Sequence, residues 1–75
     1  MSSPAERLEL AAKLYDEAAE QLELAMQHCR TAAGHFRDGE VPRGAAHAWA
    51  AQGYLLEAQE RLAEQARQHA ERSLP

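Results

Sequence analysis

Isoleucine and asparagine are missing from this chain of 75 residues, and its β-branched residues stop at Thr31 and Val41. Strands draw on those side chains, so a sheet has almost nothing to grow from and an all-α fold follows. Basic charge is also short: eight Lys and Arg stand against twelve Asp and Glu, for a net charge of −4. A general nucleic-acid binder needs a basic footprint that releases counterions from phosphates. Here only Arg30, Arg37 and Arg43 gather, near the middle of the chain. No basic amphipathic face is present to hold an anionic membrane surface, and no apolar run reaches membrane-spanning length. Neither nucleic acid nor membrane is therefore an expected partner. Cys29 stands alone, so an internal disulfide is impossible, and the first residues lack the basic start and apolar stretch of a secretory signal. A reducing, cytoplasmic setting is the expectation. A Gly-rich phosphate loop, a Cys-x-x-Cys pair and a Ser–His–Asp set are missing as well, which points away from an enzyme and implies no cofactor.

Alanine is what the chain has instead, at 17 positions. Large residues recur at every seventh place, Leu8, Tyr15, Leu22, Cys29 and Phe36, and alanine fills neighbouring sevens at Ala11, Ala18, Ala25 and Ala32. The second half continues with Ala48, Leu55, Leu62 and His69 beside Ala51, Ala58 and Ala66. Apolar residues sustained at this period mark a helix that packs along another helix, and small residues let the two axes come close.

The punctuation divides the chain into two helices. Ser3 caps, Pro4 suits the first helical position and Glu6 completes an S-x-x-E box. Asp38-Gly39 reads as a stop and Val41-Pro42 as a restart. The expected domain is a single helical hairpin over residues 1–75, with helix 1 at about 4–38, a turn at about 39–41, and helix 2 at about 42–73 closed by Pro75. A turn this short makes the helices antiparallel neighbours. Pairing Leu22 with Leu62, Cys29 with Leu55, Ala25 with Ala58 and Ala32 with Ala51 centres the hairpin near residue 42, where the Gly and Pro already put the turn. Cys29 is expected as a small buried hydrophobe on this seam.

A seam lined mainly by alanine hides little apolar surface, and one flank of the hairpin is apolar along its length. It places Met26 opposite Leu56, Ala33 opposite Trp49 with Gly34 leaving room for the indole, and Ala19 opposite Ala63. Helix 2 carries an apolar face wider than one neighbour covers. Two copies joined on that flank make a four-helix bundle, with Met26, Ala33, Trp49, Gln52, Leu56, Gln59 and Ala63 at the expected interface. A homodimer or higher homo-oligomer is the expected assembly, with room for an unidentified protein partner.

The opposite flank gathers rings near the turn, with His35 near His47 and His28 near Tyr54. His28, His35 and His47 are the candidate metal ligands. The spacing argues against a site: His28 and His35 lie about 10 Å apart along the axis, and His35 with His47 supply two ligands where structural zinc takes four. No carboxylate stands three residues before a histidine, so the Glu-x-x-His arrangement of di-iron bundles is missing. Tyr15, Gln52, Gln59 and His69 are candidates for a ligand cavity, because polar groups on an apolar face ask for partners. Core glutamines also serve to fix register or assembly, and a Tyr15–His69 hydrogen bond satisfies both groups without catalysis. Two i,i+4 pairs of favourable polarity, Glu9–Lys13 and Glu57–Arg61, support the helices. The leading expectation is a non-enzymatic, self-associating helical hairpin with an interaction, adaptor or structural role. The alternative is a bundle that binds a small ligand or a transition metal.

Overall fold

The structure, a computed structural model, describes residues 3–72 and forms two helices, α1 over Pro4–Arg37 and α2 over Val41–Arg72. Ser3 stands outside the helix with extended backbone, and its Oγ accepts from the Glu6 N–H at 3.1 Å, which satisfies one of the first-turn donors. Pro4 follows at the first position, where its missing N–H costs nothing. The expected closure of α2 at Ser73 and Pro75 lies outside the described residues.

The turn is built by the end of α1. Gly39 takes φ +74°, the left-handed region open to glycine. From there the Gly39 N–H donates to the Phe36 carbonyl at 3.1 Å and the Glu40 N–H to the His35 carbonyl at 2.8 Å. This paired arrangement is a Schellman closure, and it satisfies carbonyls that the helix end leaves without partners. An apolar contact often accompanies the motif. Here a polar one takes its place, His35 Nδ1 lying 3.7 Å from Glu40 Oε2.

α1 and α2 pack antiparallel along one line of small residues. Ala18, Ala25 and Ala32 on α1 and Gly44, Ala51 and Ala58 on α2 are the buried positions, each series spaced by seven. Ala58 is fully enclosed. At Gly44 the reason for a missing side chain is direct, because a Cβ would stand 2.8–2.9 Å from the Phe36 ring.

The expected seam is thus occupied by its smaller ladder. Leu8, Tyr15, Leu22, Phe36 and Leu62 are exposed at the rim, and Cys29 is exposed too, contrary to its expected burial. Close approach leaves no gap wide enough for a leucine between the backbones, so the bulkier sevens lie along one side of the contact. The particle is a rod of 54 × 22 × 13 Å. Its radius of gyration is 17.0 Å, against about 11 Å for a compact chain of this length. Among the described residues, no helix is long and apolar enough to cross a membrane.

Seam geometry yields a sharp contrast between sites. Ala58→Leu should destabilise the hairpin by about 1–3 kcal/mol through overpacking, while Ala46→Leu on the exposed surface stays within about 0.5 kcal/mol. Urea unfolding followed by circular dichroism measures both; equal midpoints would contradict the close-approach seam.

Candidate functional site: an open apolar face and a ladder of rings

The two flanks of the seam differ in chemistry. On one flank the rim side chains border an open groove enclosing about 540 Å³. Seam alanines Ala25, Ala32 and Ala51 floor it, and Leu22, Met26, Phe36 and Leu55 stand around it. Ala48 and Gln52 continue from this groove into a second hollow that Trp49, Gly53 and Leu56 border. Towards the open end, Tyr15, Leu62, Gln65, Ala66 and His69 line a further hollow.

Of the expected interface residues, five border the groove or the hollow beside it, while Gln59 and Ala63 border neither. Met26 and Ala33 border the groove, and Gln52 lies between the two hollows. Trp49 is 82% exposed and Leu56 55% exposed, so in the single hairpin neither is sheltered by the facing helix. Nor does the indole occupy the space at Gly34, where nothing lies within 4 Å of a built Cβ. The expected ligand-cavity residues do not converge. Tyr15 and His69 share the open-end hollow, Gln52 belongs to the middle groove, and Gln59 is exposed on α2. Gln52 is exposed as well, so neither glutamine is a buried polar group in the hairpin.

Among the described residues, a buried and unpartnered side-chain polar atom lies elsewhere. Gln65 Oε1 is enclosed and without a hydrogen-bond partner. Gln65 is the next seven after Gly44, Ala51 and Ala58, and it lies between the Tyr15–His69 hollow and another bordered by Arg7, Leu8 and Ala11. The ladder of sevens, extended one step, would have located it.

The other flank is polar and closed. His35 and His47 have ring centres 5.3 Å apart, and His28 and Tyr54 have centres 5.4 Å apart, with near-parallel planes. His47 also meets His28, with ring centres 5.2 Å and Nδ1 atoms 2.9 Å apart. The 2.3 Å difference between those separations is that of two centre-to-nitrogen radii, so both nitrogens lie on the line joining the rings. This is an in-line N–H···N hydrogen bond between imidazoles, one donating and one accepting. Glu40, next to His35 in space, accepts from Arg43 Nη1 at 2.8 Å. A continuous row therefore runs from Arg43 through Glu40, His35, His47 and His28 to Tyr54.

The row bears on the metal candidates. His28 and His47 aim their Nδ1 atoms at each other, which suits a shared proton, whereas a metal ion needs lone pairs converging on a point beside them. Among the described residues, no three His, Cys, Asp or Glu side chains are grouped to hold a metal ion.

Further along the same flank, Arg61 Nε lies 3.5 Å from Glu17 across the seam, and Arg61 also pairs with Glu57 on its own helix, as its spacing implies. On α2, Arg67 bridges Glu60 and Glu64, each at 2.9 Å. Hydrogen bonds from Arg67 and then Gln68 hold the Glu64 carboxyl below its ordinary range. These pairs are solvent-facing and each contributes little.

Comparison with protein-family models, with curated proteins and with solved structures gives no match, so function is argued from the chain's own geometry.

The imidazole pair has a spectroscopic signature. In mildly alkaline buffer, ¹⁵N chemical shifts should report opposite tautomers for His28 and His47, one protonated at Nδ1 and one at Nε2. Two identical Nε2–H tautomers would show that the bond does not form.

Proposed function

We propose that the chain is a non-enzymatic interaction module, a helical hairpin that associates with a second copy through its groove-bearing flank to form a four-helix bundle. One observation carries the reading. The buried apolar core of the described residues is five alanines, while ten large apolar side chains, Trp49 foremost, stand exposed. Seven of the ten border the groove and the two hollows that continue it along one flank. Apolar surface gathered in this way marks an interaction site.

The magnitude supports a copy of the chain as the occupant. The hairpin exposes 5660 Å², against about 4,600 Å² for a compact protein of its mass. Covering that excess on two copies removes about 2,200 Å² in total, which is the scale of permanent homodimers. A flank that runs the length of the rod and meets itself gives an isologous contact, the commonest way that soluble chains pair. The polar flank, already closed by its rings and ion pairs, is left outward.

Sedimentation equilibrium at micromolar concentration should give the mass of a dimer or a higher oligomer. Met26→Glu/Leu56→Glu should shift it to the single-chain mass with helix content preserved, because both side chains lie off the seam. A monodisperse monomer for the unaltered chain would refute the proposal.

A further inference from the structure

Resting on the self-association reading, we infer that Trp49 is the anchor of the contact, each copy seating its indole in the middle groove of the other. Trp49 is the single tryptophan and is 82% exposed, the most of the large apolar side chains. Its own groove is open beside it. The indole borders the neighbouring hollow with Gly53 and Leu56 instead, and Ala48 and Gln52 join the two hollows. A projecting ring and a vacant recess thus lie side by side on one face. A two-fold axis turns that adjacency into a reciprocal exchange, since each partner offers the same knob and the same hole.

The recess suits an indole chemically. Ala25 and Ala32 floor it, Met26, Phe36 and Leu55 flank it, and Cys29 adds a polarisable sulfur. Thioether and aromatic edges make favourable contacts with a ring, and the alanine floor leaves depth. Gln52, between the hollows, is the polar group nearest to an arriving indole and offers its amide oxygen to the Nε1–H. No clearance is needed at Gly53, where a built Cβ meets nothing within 4 Å. Tryptophans in such positions dominate the energetics of interfaces because they lose the most water-exposed area at once.

The test pairs mass with fluorescence on the full chain across a dilution series. Trp49 emission should move to shorter wavelength in step with the rise in mass. Trp49→Ala should raise the dimer Kd by at least about thirtyfold while the helical circular dichroism is unchanged. Ala33→Leu, which fills the recess and leaves the tryptophan itself unaltered, should weaken the dimer as well, and its effect should shrink in the Trp49→Ala background. If the dimer forms with the emission of a solvent-exposed indole, or if Trp49→Ala changes Kd by less than about threefold, the anchor is refuted while self-association stands. If the mass never rises above that of one chain, both readings fall together.

Discussion

Two backbones brought close along a line of alanines set the terms for the rest of this molecule. The contact positions on α1 and α2 carry a methyl group or, at Gly44, nothing, so the helices meet through main chain as much as through side chains. Such a seam gains dispersion energy from close packing and loses little side-chain entropy, since alanine has none to lose. It also has a cost. Every leucine, methionine and ring that shares the heptad is pushed out of the contact and onto a flank.

The two flanks answer that displacement differently. On one, polar groups find partners inside the hairpin: His28 with His47, Arg61 with Glu17 and Glu57, His35 with Glu40. These interactions are modest in energy, but His28–His47 and Arg61–Glu17 link the helices at named positions and so fix how one slides along the other. On the other flank the displaced side chains are apolar and find only each other's edges. The fold therefore separates the work of closing the hairpin from the surface left for association, and the separation follows from which residues neighbour the alanines on each side.

Much of this was readable from residue order. The lack of strand formers, the Ser3-Pro4 start, the Asp38-Gly39 stop and the Pro42 restart are local signals, and the two helices and their turn follow them. Pairing by sevens also brought Ala25 with Ala58 and Ala32 with Ala51 to the middle of the contact, where all four are buried. What periodicity does not carry is which of two interleaved ladders faces inward. Leu22 and Cys29 share their period with Ala18 and Ala25, and only the steric limit of close approach chooses between them. The same limit put Cys29 and Trp49 in the open. The ring ladder exceeded one-to-one pairing for a related reason: His47 lies between His28 and His35 and touches both, whereas counting residues assigns each side chain a single opposite number. Gln65 is not marked by the apolar pattern, because it is the step at which the Gly44, Ala51, Ala58 ladder gives way to a polar side chain.

Small-angle X-ray scattering over a concentration series tests the central claim most directly, because it reads mass and length together. Side-by-side burial of the apolar flank predicts twice the single-chain mass with a long dimension close to the 54 Å of one hairpin. A single-chain mass at every concentration, or a doubled mass with doubled length, would contradict it.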